Sequence, residues 1–409
     1  MASLEGEAMK YIGICGRGAL LAIAVVLPAM AQAAESNSAT TTLVNPGAAE
    51  KSQFGAADKI YTPEEIRSAK PLEWAPAPNA DPRYQSGNTF REEPPPVTEP
   101  PRTRRPGAPN ANGEREAQKA FSEQWRMLYE MDRKNRSAPA PGSGAGSGST
   151  GTSAGFSASG DDPVKDSIDF GTADTYTAYL GNYWLNQQQA YPWKVIGKLL
   201  IDGGGYCTAQ SITGAPKNII VTAAHCVYDV GRGFKSGWTF VPAERNGAAP
   251  YGQYRWASAR VLNAWISGGG RRNDVAIIRL QNNPTTGRPV SYYTGWLGWR
   301  MNFPYVRNLH SIGYASNIST LYTSMCTAET YSASCEGTDV LVKGCNMTYG
   351  SSGGAWISNY KPYQVSGYVE GVVSGPSCTG SFGNTYVAPH FSSANLGVLC
   401  SAEGGCTTP

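Results

Sequence analysis

Histidine is scarce in this chain: His225, His310 and His390 are the only three in 409 residues. With so few, any catalytic histidine has to be found among these three, and an isolated histidine is more often structural than catalytic. Charge is scarce as well, with 16% charged residues and a formal net charge of +3. That is too little to argue for nucleic acid or an anionic membrane as the main partner. No apolar run reaches the roughly 18 residues that a membrane span needs. None of the nine cysteines stands in a pair of CxxC motifs or beside a histidine pair, which argues against zinc. The residues call for no metal and no organic cofactor.

What is present begins with a leader. Lys10 and Arg17 precede an apolar run from Ala19 to Ala31, followed by Ala31-Gln32-Ala33. A charged region, a short hydrophobic core and a small-residue cleavage site are the layout of a secretory signal peptide, assigned to 1–34. Met9 followed by Lys10 would be a more usual start than Met1. The expected product is secreted, extracellular or periplasmic, monomeric, and free of the membrane after export. Cys15 falls inside the leader, which leaves Cys207, Cys226, Cys326, Cys335, Cys345, Cys378, Cys400 and Cys406. An even set confined to one region of an exported chain reads as disulfides.

From 35 to 136 the sequence is polar and proline-rich, as in "REEPPPVTEPPRTRRPGAPNANG". It lacks the apolar periodicity of a packed core and is expected to be largely disordered. Within it, Phe121, Trp125, Leu128 and Met131 recur at steps of three and four, which predicts one helix over 112–135. Residues 137–162 are rich in Gly and Ser and form a flexible tether. Beyond it, in 163–409, short stretches such as "WKVIGKLLI", "NIIVTAAHC", "DVAIIRL" and "EGVVSG" alternate with turn residues. This is the pattern of an all-β sandwich or barrel.

Three residues in the β region have distinctive settings. His225 ends an apolar strand in "IIVTAAHC"; Asp274 stands directly before the strand of "DVAIIRL"; Ser352 lies in "TYGSSGGAW". A carboxylate beside a buried strand needs a partner for its charge, and an imidazole N–H is one. A serine hydroxyl is a poor nucleophile without a base, and a histidine, with an ordinary pKa near ~6.5, suits that task. The glycines around Ser352 permit backbone conformations that could aim the N–H groups of Gly350 and Ser352 at one oxyanion.

"TAAHC", "DVAIIRL" and "GSSGG", in that order, resemble the trypsin-fold (chymotrypsin-like) serine peptidases. "CNMTYGSSGGAW", "FVPAERNGAAPYG" and "HSIGYASN" are similar to the bacterial secreted V8-like, or glutamyl-endopeptidase-like, branch. "YTPEEIRSAKPLEW", residues 61–74, resembles a segment found in the pro-regions of such enzymes. The resemblance implies two six-stranded antiparallel β-barrels with His225 and Asp274 on the first and Ser352 on the second. It implies a serine endopeptidase acting on protein or peptide substrates, with Ser352 as nucleophile, His225 as base, Asp274 as orienter and Gly350 and Ser352 as oxyanion donors. It also implies a substrate pocket lined by Asn346, Met347, Thr348, Val373, Ser374 and Gly375. Of the disulfides, Cys207–Cys226 looks like the family's bridge beside the histidine, and Cys345 with Cys378 is expected to flank the pocket. Cys326 with Cys335 and Cys400 with Cys406 are then the simplest remaining pairs, although spacing does not fix connectivity.

Ser351 departs from the animal branch, which carries there an aspartate that receives a new N-terminal ammonium on activation. Activation is expected instead to involve the pro-region, with the Phe121/Trp125/Leu128 stripe over the cleft and cleavage near the tether. No carboxylate among the pocket residues would bind Lys or Arg, and no histidine would bind an acidic side chain, so the preferred residue at the cleaved bond stays open. Two other readings stay open as well: a catalytically silent protein of the same fold that binds a ligand, and a hydrolase of simple esters.

Overall fold

The computed structural model describes residues 34–36, 39–48, 59–73, 89–90, 96–137, 177–180, 185–335, 338–361, 364–376 and 385–406. The expected leader up to Ala33, the tether from 138 to 162 and Cys378 lie outside them.

The β-branched stretches form strands β1 (Ile196–Ile201), β2 (Gly205–Ser211), β3 (Ile219–Thr222), β4 (Trp238–Pro242), β5 (Tyr254–Leu262) and β6 (Ala276–Leu280). They pair antiparallel in the order β5-β4-β1-β2-β3-β6, and pairing of β5 with β6 closes the ring. Because side chains alternate along a strand, Leu199 points into the main core while its neighbour Leu200 points out into a second apolar cluster. Trp238 and Trp256 meet edge to face at 5.0 Å in the interior.

The second half supplies β7 (Gly298–Met301), β8 (Arg307–Gly313), β9 (Ser324–Cys335), β10 (Thr338–Gly344), β11 (Ala355–Ser358), β12 (Tyr368–Val372) and β13 (Thr385–Ala388). Six of these run β13-β10-β9-β8-β11-β12. The ring closes because the chain leaving β12 pairs again at Gly375–Pro376, this time with β13. β7 attaches to β12 in parallel. The architecture is the all-β double barrel expected from the sequence.

The expectation that 35–136 is largely disordered is corrected for its described stretches. They lack a core of their own and add to that of the barrels. Thr40–Val44 lies along β5, Lys70–Pro71 along β2, Thr89–Phe90 along β9 and Arg102–Arg104 along β7. Helix α1 (Pro63–Ser68) begins with a capping box in which Thr62 and Glu65 bond each other's backbone N–H. The single helix expected over 112–135 is two, α2 (Gly113–Ala120) and α3 (Ser122–Ser137), broken at Phe121 (φ −120°, ψ 34°). The break turns the stripe onto the barrel: Trp125 meets Tyr251 edge-on at 5.6 Å, Phe121 meets Tyr293 at 6.4 Å, and Leu128 is fully buried.

Cysteine pairing differs from expectation in the second barrel. Cys207–Cys226 and Cys400–Cys406 are bonded, but Cys326 joins Cys345 and not Cys335. Cys326 is on β9 and Cys345 directly follows β10. Those adjacent strands bring the pair together, and spacing along the chain carried no such information. Cys345 is therefore not free for Cys378, and Cys335 is disulfide-bonded elsewhere.

Candidate active site

β3 and β6 pair with Thr222 opposite Ala276, so the residues that follow β3 and those that precede β6 leave the barrel at the same end. His225 sits there in the short turn Ala224–Cys226, and Asp274 closes the turn Arg271–Asn273. The result is a close pair: His225 Nδ1 is 2.8 Å from Asp274 Oδ2, and the His225 backbone N–H donates to Oδ1 at 2.9 Å. An ionised carboxylate only accepts, so Nδ1 carries the proton and Nε2 is left as the basic nitrogen. Nε2 is buried and has no hydrogen-bond partner among the described residues.

Asp274 is fully buried. Burial alone would raise its pKa. The charge of His225 and the hydrogen bonds from His225 and Ser374 outweigh that and hold the carboxyl below its ordinary value. Ser374 Oγ donates to Asp274 Oδ2, and the Arg271 guanidinium lies 3.4 Å from the same hydroxyl.

Ser352 lies in the turn between β10 and β11, on the second barrel. Two glycines shape it, with φ of +83° at Gly350 and +80° at Gly353. A Cβ at Gly350 would lie 2.5 Å from both the Tyr206 ring and the Tyr314 carbonyl. One at Gly353 would lie 2.1 Å from Thr222 Oγ1 and 2.9 Å from Ala223 N. Gly353 therefore packs on the residues that lead into His225, and this brings the two barrels' residues together. Thr208 fastens the turn from β2: its N–H donates to the Ser352 carbonyl and its hydroxyl to the Gly350 carbonyl, both at 2.8 Å. The N–H and hydroxyl of Ser351 both donate to Thr348 O, at 3.2 and 2.6 Å. The N–H groups of Gly350 and Ser352, on either side of it, donate to no group among the described residues. Ser352 Oγ makes no hydrogen bond to His225 Nε2.

The six expected pocket residues separate into four environments. Met347 and Val373 are buried in an apolar cluster with Trp356 and Tyr386. Asn346 and Thr348 are tied to Asn317: the Asn346 carbonyl accepts its amide, and the Thr348 N–H and hydroxyl donate to Oδ1. Gly375 pairs with Val387. The Ser374 hydroxyl is engaged by Asp274. Thr208 was not expected at the site, and Ser374 was expected as a pocket residue and not as a partner of Asp274; each is a small polar residue in a strand or strand end and carries no sequence signal for the role it has here.

The other two histidines have settled positions. His310 Nδ1 meets Thr327 Oγ1 at 2.8 Å, and burial, with Lys343 adding to it, pushes its pKa down to about 3. His390 Nε2 meets the Phe303 carbonyl at 2.6 Å and its ring stacks on Tyr305; burial brings it to about 4. Among the described residues, the one cluster with metal-ligand atoms is Cys207, His225 and Cys226. The two sulfurs are bonded to each other and Nδ1 is engaged by Asp274, so the cluster offers one ring nitrogen and no thiolate, a poor fit to any ion.

A family model described as Trypsin matches residues 184–394. A curated relative, the extracellular metalloprotease of Bacillus subtilis (strain 168), is 27% identical over 118 residues, which is 28% of this chain and 36% of that protein. The chain thus matches little more than a third of that relative's length. Among solved structures, protease Anisep from Arthrobacter nicotinovorans is 28% identical, with 51% of this chain and 95% of that one covered and a TM-score of 0.46. A thermostable serine protease, AL20, from an extremophilic microorganism is 24% identical, covering 52% and 97%, also with a TM-score of 0.46.

Proposed function

The chain belongs to the trypsin family, and from that membership we propose that it is a secreted serine endopeptidase, made as a precursor, with Ser352, His225 and Asp274 as its triad. The carrying observation is the buried Asp274 carboxylate, which takes the His225 Nδ1–H at 2.8 Å and leaves Nε2 unpartnered as a base.

The roles are those general to such a triad. Ser352 Oγ attacks the peptide carbonyl carbon as its proton passes to His225 Nε2. The C–O bond forms, and the carbonyl oxygen becomes an oxyanion within reach of the Gly350 and Ser352 N–H groups. Loss of one such donor typically costs about 10²- to 10³-fold in rate. His225 then gives its proton to the leaving nitrogen, the C–N bond breaks, and an acyl-enzyme remains. Water repeats the sequence through the same histidine and frees the acid. Asp274, held below its ordinary pKa, is ionised at neutral pH, so it fixes the imidazole tautomer and stabilises the imidazolium.

Export is supported by the leader layout of 1–34 and by disulfides in the barrels. Activation without N-terminal insertion is supported by Ser351, whose N–H and hydroxyl are spent on Thr348 O and which carries no charge to meet an ammonium. Incubation of the purified protein with a mixed peptide library, read by mass spectrometry, tests the activity. Internal cleavage that vanishes in His225→Ala is expected. Turnover of simple esters with no peptide cleavage would favour the ester hydrolase, and no turnover of either would favour a silent binding protein.

A further inference from the structure

Residues 61–73 are anchored to the first barrel at every turn of their path. The Tyr61 backbone exchanges two hydrogen bonds with the Gln253 side chain, at 2.9 and 2.7 Å, and its hydroxyl donates to Asp202 at 2.8 Å. Helix α1 then lowers Ile66, 1% exposed, into an apolar socket made by Leu200, Tyr206, Val241, Ala249 and Tyr314. The Ile66 carbonyl accepts from Lys198 Nζ, a fully buried cation whose other partners are Glu244 and the Thr320 carbonyl. Lys70–Pro71 pair in parallel with Gly205–Tyr206, and the Leu72 N–H donates to the Tyr206 carbonyl at 2.9 Å.

The walls of that socket are also the walls of the oxyanion turn. The Tyr206 ring and the Tyr314 carbonyl are the two groups that close on Gly350. Two residues beyond Tyr206, about 7 Å along a strand, Thr208 holds the carbonyls of Ser352 and Gly350. The chain at Leu72 runs in the same direction as β2, toward Thr208 and the Cys207–Cys226 bridge next to His225. The stripe of α2 and α3 packs instead on Tyr251 and Tyr293.

Resting on the peptidase reading, we infer that residues 61–73, and not helices α2 and α3, are the segment that holds the precursor shut. They pair with the Gly205–Tyr206 end of β2, ahead of Gln210–Ser211 where β3 pairs, beside the nucleophile turn and where a peptide extending past Ser352 would run. Small acyl donors that end near Ser352 have no need of that end of β2; extended peptides do. The surface is therefore a docking site for an extended segment with an aliphatic anchor six residues ahead of its β-bonded residue, filled in the precursor by Ile66 and Leu72.

The test uses the uncleaved full chain and two substrates, a small activated ester and an internally quenched peptide extending several residues on both sides of the bond. Ile66→Asp, and separately Leu72→Pro, which removes the N–H bonded to Tyr206 together with the leucine side chain, are expected to raise peptide cleavage about tenfold or more, each decade corresponding to ~1.4 kcal/mol of lost closure. Ester turnover should change little. Trp125→Ala should leave the peptide-to-ester ratio where it is. A synthetic peptide of residues 59–74 added to Leu72→Pro should restore inhibition, and a scrambled peptide should not. The inference is overturned if both variants turn over ester with an unchanged ratio, or if Trp125→Ala alone raises it. Absence of turnover on both substrates in every variant would instead overturn the peptidase reading.

Discussion

Acid should loosen this protein through two histidines that take no part in the chemistry. His310 and His390 are buried and neutral, with folded pKa values of about 3 and about 4; unfolded, each returns to near ~6.5. The unfolded chain therefore takes up protons that the folded one refuses, so their contribution is complete above pH 6.5 and is lost as pH falls toward the folded values. At pH 5 each ring costs the folded state about 2 kcal/mol relative to pH 7. The groups around them agree with this sign. Lys343 faces His310, and Arg272 faces His390, whose Phe303 carbonyl partner offsets only part of the burial. Glu244 and Glu370, which burial pushes up, pull the other way, so the comparison has to be made between variants. Urea unfolding of wild type, His310→Gln and His390→Gln at pH 7 and pH 5 should give a fall from pH 7 to pH 5 that is about 2 kcal/mol smaller in each variant. Identical pH dependence in all three would refute the assignment of these rings as neutral, buried groups.

Three further outcomes follow from single contacts. Ser374→Ala removes one of the donors to the Asp274 carboxylate and should lower kcat/KM about tenfold, the ~1.5 kcal/mol of one hydrogen bond to a charged group, with KM little changed in steady-state assays. Gly353→Ala places a Cβ 2.1 Å from Thr222 Oγ1 at a φ of +80°; urea unfolding should show a loss of at least about 2 kcal/mol. Trp125→Ala removes the buried indole that α3 packs on Tyr251 and should cost the full chain about 3 kcal/mol by the same measurement.

The barrels were legible, and the candidate chemical residues could be picked out, because each carries a local signal. Apolar runs of strand length marked β1, β3 and β6, and the settings of His225, Asp274 and Ser352 were each unusual for their residue type. What joins them was not legible. Thr208 and Ser374 act through where two barrels meet, which no local pattern encodes. The Cys326–Cys345 bond follows from β9 lying beside β10, a fact of sheet order. The stretches before the tether read as disordered because they lack periodicity of their own; Ile66, Thr40–Val44 and Arg102–Arg104 find order only on a core and on strand edges supplied by residues far along the chain. The break at Phe121 had no Pro or Gly to announce it and arises where the stripe turns onto Tyr251 and Tyr293.

The central claim is that one serine, activated by one histidine, does the chemistry. Treatment with a small fluorophosphonate followed by peptide mapping tests it most directly. The account predicts a single modified residue, Ser352, with modification abolished in Ser352→Ala and slowed at least about 100-fold in His225→Ala. Modification at Ser351, or labelling that persists undiminished in Ser352→Ala, would contradict it.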